Sequence, residues 1–280
     1  MSAVSSISQH HPAEPASRGS PYSFAADKRY IPALDGMRAL SIAVVVASHF
    51  WVNGPVPGGF GVTVVFFISG FLITRLLLAE FNADGHISIG RFYVRRFLRL
   101  YPALFVLIVG LSALYFAMYG QVDFLEMIAA LFYFMNYYVL VHPDVQMPIR
   151  MLWSLAIEEH YYFIFPLLFT LLAPRPWRFI GILAVVAVVV LAWRLVLVFL
   201  IGIDLNPVAA PGLPYTYIAT DCRLDSILWG ALLALLTQTE AGLRFVRSLI
   251  NWPVFLIASA ILLAAFLPRS LAFQETWRYS

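Results

Sequence analysis

The chain has 280 residues, 61% of them apolar and only 12% charged, with a mean hydropathy of +0.83. A water-soluble globule of this size cannot hide so much carbon, because most of a folded protein's surface must be wettable. Lipid is therefore the solvent for much of the chain, which excludes a cytosolic enzyme, a secreted domain and a nucleic-acid-binding protein; the net charge of +3 fits basic cytoplasmic membrane loops instead. The single cysteine, Cys222, excludes an intrachain disulfide and a cysteine metal cluster.

Residues 1–30 are Ser-, Ala-, Pro- and His-containing and lack the apolar run of a signal peptide. They read as a disordered cytoplasmic tail, in which His10 and His11 are inert. Residues 31–280 read as one membrane-embedded domain. Apolar stretches follow at 34–52, 60–80, 100–118, 124–141, 153–173, 179–201, 221–237 and 250–268. Each approaches the roughly 20 residues that cross about 30 Å of hydrocarbon as a helix. No apolar–polar alternation points to barrel strands. The expected fold is all-α, a polytopic transmembrane bundle with seven or eight membrane segments.

Orientation comes from arginines in short loops. Of the 18 basic residues only Lys28 is lysine. Arg91, Arg95, Arg96 and Arg99 mark one cytoplasmic loop, Arg175 and Arg178 a second, Arg244 and Arg247 a third. Between Arg99 and Arg175 lie three apolar stretches, whereas two loops on one side require an even number of crossings. The stretch 124–141 carries Glu126 and Asn136 among dense aromatics, so it is expected not to span but to be re-entrant or interfacial.

Ionisable groups inside apolar stretches are costly, so each is a functional candidate. Arg38 and His49 stand eleven residues apart on the first stretch. That spacing returns to within about 20° of the same helix face with about 16 Å of rise between them. Histidine is the usual side chain for taking a proton from a hydroxyl near neutral pH; an interfacial anchor is the alternative. On a helix Arg91, Arg95 and Arg99 share a face, and Arg96 pairs with Arg99. Converging guanidiniums suit a polyphosphate through bidentate bonds, or else serve only topology and anionic lipid. In Trp153-Ser154-Leu155-Ala156-Ile157-Glu158-Glu159-His160-Tyr161-Tyr162, Glu158 shares a face with Tyr162, while Glu159 and His160 point elsewhere. Arg223 and Asp225 are expected to neutralise neighbours on other helices. The scattered histidines have no metal-ligand spacing.

Taken together these segments resemble the acyltransferase 3 family of integral-membrane O-acyltransferases. Leu34-Asp35-Gly36-Met37-Arg38-Ala39-Leu40 with His49 is similar to its opening arginine, ten residues, histidine pattern. Gly58-Gly59-Phe60-Gly61-Val62 with Phe66-Phe67-Ile68-Ser69-Gly70-Phe71-Leu72-Ile73 resembles its second-span signature. Arg96-Phe97-Leu98-Arg99-Leu100-Tyr101-Pro102, Trp153-Ser154-Leu155 with Glu158-Glu159, and Arg223-Leu224-Asp225 with Gly230 follow in family order. Thr63 stands where an aspartate is common, and His160 where a glutamine is usual. No counterpart of the family's late histidine motif follows Gly230, so the resemblance implies a domain incomplete at its C-terminal end.

The resemblance implies an acyl-coenzyme A co-substrate on the cytoplasmic side, no bound cofactor, and a carbohydrate or glycolipid hydroxyl as acceptor across the bilayer. The acyl group is expected to be acetyl. Arg38, Arg95, Arg96 and Arg99 would hold the donor. His49 would be the base or acyl carrier and Glu158 its partner, with Asp35, Ser69, Tyr162, Arg223 and Asp225 in support. The location implied is a bacterial inner membrane with a cytoplasmic N-terminus. Two other readings use the same residues: a transporter with an Arg/His/Glu path through the membrane, and a non-catalytic assembly partner.

Overall fold

The computed structural model describes residues 31–50, 58–143, 147–203, 214–264, 273 and 275–277. The expected tail at 1–30 lies outside the described residues. Among those described there are helices and no strands, so the all-α expectation holds. Among the described residues, five helical segments are long and apolar enough to cross a membrane. They are α1 (Pro32–Phe50), α2 (Gly58–Asp84), α3 (Ile89–Tyr119), the run Pro148–Leu172 containing α6 (Trp153–Leu172), and Pro176–Ile201. The last comprises α7 (Pro176–Leu195) and a π-helical turn, Val196–Ile201.

A sixth crossing is counted only if Tyr215–Leu236 and α10 (Glu240–Leu249) form one span bent by 114°. The first part comprises α8 (Tyr215–Ile218) and α9 (Thr220–Leu236). Of the seven or eight segments expected from the sequence, the described residues therefore show five or six able to span, and two stretches account for the difference. The stretch 250–268 supplies α11 (Trp252–Ala264), too short for a full span among the described residues. The stretch 124–141 is broken into α4 (Phe124–Leu131) and α5 (Met135–Val141).

That break has a local cause. Tyr133 sits at φ 61°, its N–H donating to the Ala130 carbonyl, and the Phe134 N–H donates to Ala129. This is a Schellman ending with a tyrosine in the left-handed position usually held by glycine. The chain enters the segment from the C-terminus of α3 and leaves it at Trp153, which packs edge-on against Phe66 near the start of α2. The segment therefore begins and ends at the same end of the bundle.

Helix α2 is the central post. Phe66, Thr74 and Phe81 meet Trp153, Tyr161 and Phe169 in order, so α2 and α6 run parallel. Against α9 the approach is closer still. A Cβ on Gly70 would lie 2.0 Å from the Ile227 carbonyl oxygen, and one on Gly230 would lie 1.9 Å from that of Phe67. Such backbone-to-backbone contact is available only to small residues. Helix α7 joins α9 through an ion pair, Arg194 to Asp225 at 2.6 Å, with neither side chain exposed. Helix α1 runs antiparallel to α2 and buries only Ser41.

Candidate active site

A cleft of about 800 Å³ opens between α1, α2, α3 and α6. Helix α1 contributes Asp35 and Arg38, α2 contributes Ser69 and Arg75, α3 contributes Arg95, Arg96 and Arg99, and α6 contributes Glu158 and Tyr162. Widely separated sequence segments thus converge on one cavity. The face shared by Glu158 and Tyr162 is made by one helical turn: the Tyr162 hydroxyl donates to Glu158 Oε2 at 3.0 Å. Ser69, buried on α2, donates to Glu158 Oε1 at 3.2 Å. Both carboxylate oxygens therefore have a neutral donor, and the Arg38 and Arg96 charges act on the same group.

The arginines are not equivalent. The Arg96 guanidinium lies over the Tyr162 ring, 4.1 Å from its centroid. Arg95 pairs with Glu80 at 3.0 Å, and the same carboxylate accepts the Ser88 N–H that opens α3. Arg75, on α2, also lines the cleft, its guanidinium 5.7 Å from the Phe71 ring centroid. Arg91, grouped with these by helical spacing, is exposed and is not among the lining residues.

His49 does not join this cleft. It is exposed near the end of α1, and its Nδ1 lies 2.8 Å from the Val45 carbonyl oxygen. A carbonyl only accepts, so Nδ1 is the donor in this contact, and Nε2 is the nitrogen left for other partners. The sequence reading pairs His49 with Glu158, and the structure separates them. Ser48 abuts Gly58, whereas Glu158 is bonded to Ser69, eleven residues and about 16 Å further along α2. The ring is held by α1's own backbone rather than by the glutamate.

Arg223 and Asp225 lie away from the cleft, in the packed interior. Asp225 neutralises Arg194, as a charge bridging two helices should, and Arg194 also donates to the Cys222 carbonyl at 2.9 Å. Arg223 donates to Thr63 Oγ1 at 2.9 Å and lies near the Phe66 and Tyr217 rings. The hydroxyl of Thr63 thus serves as an acceptor where the family pattern has an aspartate. His160, in the glutamine position, meets Thr220 Oγ1 at 2.8 Å between Phe134 and Tyr137. Two arginines were not among the sequence candidates: Arg75 and Arg194. Each is a charge within an apolar stretch, and that signal identifies both.

Beside the cleft lies a smaller chamber of about 350 Å³ under the break between α4 and α5. Phe92, Arg96 and Tyr162 line both cavities. No group of three or more His, Cys, Asp or Glu able to hold a metal occurs among the described residues.

Residues 31–277 match the family profile described as an acyltransferase domain. The chain belongs to the acyltransferase 3 family. A protein of Staphylococcus aureus (strain COL) that bears a provisional O-acetyltransferase name is 36% identical over 223 residues, or 74% of this chain and 35% of its own. O-acetyltransferase OatA of Staphylococcus aureus (strain NCTC 8325 / PS 47) is 35% identical over 223 residues, 74% of this chain and 34% of its own. The chain spans about a third of the length of these relatives. No solved structure is significantly similar to it. Family and apolar helices together identify an acyltransferase-family integral membrane domain.

Proposed function

We propose that this acyltransferase domain moves an acyl group, acetyl by preference, from acyl-coenzyme A to a hydroxyl of a cell-surface or exported carbohydrate or glycolipid. The donor enters from the cytoplasm at the arginine-bearing end of the bundle, and the acceptor reaches the opposite end. The membrane is the bacterial inner membrane, and the N-terminus is cytoplasmic. One observation carries this reading. Arg38, Arg95, Arg96, Arg99, Glu158 and Tyr162, from three helices, line a single cleft of a size and charge suited to the phosphate end of coenzyme A.

In this scheme guanidiniums at the mouth bind the phosphates through bidentate, charge-assisted bonds. The pantetheine arm runs along α1 and α2 past Ser69 and Glu158, bridging the roughly 16 Å from Arg38 to His49. The Nε2 lone pair of His49 removes the acceptor hydroxyl's proton as its oxygen attacks the thioester carbonyl. The new C–O bond forms, the C–S bond breaks, and the proton passes to the departing coenzyme A thiolate. Asp35, on the same wall as Arg38, and the Glu158–Ser69–Tyr162 group position the arm and do not contact the reacting oxygen.

The deciding experiment supplies the protein in vesicles with radiolabelled acetyl-coenzyme A, with and without a carbohydrate acceptor. Acceptor-dependent loss of thioester with label on the sugar is expected. Movement of the donor or an anion across the vesicle with thioester intact would make the chain a transporter, and no turnover of either kind an assembly partner.

A further inference from the structure

The chamber of about 350 Å³ beside the cleft is walled in part by Phe92, Tyr93, Tyr133, Phe134 and Phe163. Its volume lies near the lower end of the roughly 300–1,000 Å³ range of small-molecule sites and suits one compact ring system. Most of its polar groups are engaged. The Tyr162 hydroxyl donates to Glu158, Tyr93 donates to the Phe163 carbonyl, and His160 is held by Thr220 and by the Tyr133 backbone. Glu159 differs. Its Oε1 is buried and accepts no hydrogen bond among the described residues, although the Arg96 charge acts on the group. Such an acceptor calls for a donor, because an unsatisfied polar atom away from water is costly.

Phe92, Arg96 and Tyr162 belong to the chamber and to the cleft at once. Lying over the Tyr162 ring, the Arg96 guanidinium stands where the two cavities join, so a phosphate that it holds has the chamber beside it. In coenzyme A the diphosphate has the pantetheine arm on one side and the adenosine on the other. The proposed path leads the arm toward His49, which leaves the purine as the part nearest the chamber. We infer that the chamber receives the adenine of the acyl-coenzyme A donor, with Glu159 Oε1 accepting a hydrogen bond from its exocyclic 6-amine. The inference rests on the donor proposed above and adds to it how the site chooses its nucleotide base. Adenine answers both features of the chamber, offering flat faces to aromatic side chains and an N–H to the carboxylate. A lipid chain entering from the bilayer would satisfy the rings and leave Glu159 Oε1 without a donor.

The experiment is a ligand–protein double-mutant cycle on the full chain in nanodiscs. It measures the affinity of acetyl-coenzyme A and of its deaminated analogue, in which hypoxanthine replaces adenine. The analogue presents a carbonyl oxygen where the amine stood, so the two donors differ at the edge assigned to Glu159 and share every phosphate. A hydrogen bond to a charged group corresponds to roughly 10- to 100-fold in affinity, and the wild-type protein is expected to favour the adenine donor by that factor. In Glu159→Gln the amide can accept from the amine or donate to the carbonyl. The preference should then shrink to about twofold or less, with the analogue bound at least as tightly as by the wild type. That retained affinity doubles as the test of folding. A preference that persists in Glu159→Gln, or a parallel loss of both donors there, would overturn the assignment. So would a wild-type protein indifferent to the base, which would leave the chamber to a lipid chain while the acetyl donor still stands. If neither donor binds the wild-type protein, the donor reading itself fails and takes the adenine assignment with it.

Discussion

Helices α9 and α1 both lie against α2, yet they are built on opposite terms. Helix α9 buries most of its length, meets α2 backbone to backbone at Gly70 and Gly230, and closes an ion pair with α7. Helix α1 buries one side chain, Ser41, although it carries both members of the arginine–histidine pattern. Packing is concentrated on α9, and the proposed chemistry falls on α1. A group that must meet a substrate cannot also be sealed in the packing.

The sharpest break of this contrast is Gly230→Val. Its Cβ would lie 1.9 Å from the Phe67 carbonyl, where no side-chain rotation relieves the clash. The cost should exceed the about 1–3 kcal/mol usual for an overfilled core and leave little folded protein in a detergent-stability assay. Gly36→Ala on α1, where a Cβ meets nothing within 4 Å, should melt at the wild-type temperature or slightly above it.

Next in size is Asp225→Ala, which strands the buried Arg194 and should cost about 3–5 kcal/mol. The double change Arg194→Leu with Asp225→Leu should recover most of that loss. A double mutant as unstable as Asp225→Ala would show that the pair contributes through its other hydrogen bonds. On α1 the expected pattern inverts. His49→Gln should lower transfer about 10²–10⁴-fold while leaving thermal stability unchanged, and a variant keeping more than about a tenth of the rate would remove His49 from general-base work. The pair Arg96→Lys with Arg99→Lys keeps its charge but loses the fork. Donor affinity should fall roughly tenfold in a binding titration.

The smallest effect belongs to the non-spanning segment. Glu126 is buried, and burial with the Asp123 charge lifts its carboxyl to about 7 from an ordinary 4.5, against the pull of Arg150. Between those values the folded chain keeps a proton that the unfolded chain has released. Stability contributed here therefore falls as pH rises from about 4.5 to 7 and then levels off. Melting temperatures from pH 5 to 8 should show that slope in the wild type and a flatter line in Glu126→Gln. Identical slopes would place the titration elsewhere.

Much of this was legible in the residues. The length of the apolar runs marks the five helices able to span, and counting crossings singles out 124–141, which the structure breaks into α4 and α5. The turn between Glu158 and Tyr162 also follows from spacing alone. Depth is harder to read. Glu158 opens an apolar stretch and therefore reads as lying near the surface beside His49. In the structure its partner Ser69 stands eleven residues into α2, a register that depends on how two separate helices pack. Partners of lone charges are hidden for the same reason: nothing in the sequence around Arg194 says that Asp225, 31 residues later, will receive it.

The Arg194–Asp225 pair also sets an order on biogenesis. An arginine or aspartate within a membrane span raises the cost of its insertion, by up to about 2.5–3.5 kcal/mol at the centre and less toward an end. Helix α7 leaves the ribosome first, with Arg194 near its end and its partner not yet made. The twenty-residue apolar helix must carry that charge into the bilayer alone, and its hydropathy, the highest among the five spans, is what makes this feasible. Helix α9, less apolar, arrives afterwards to a site where an arginine already waits.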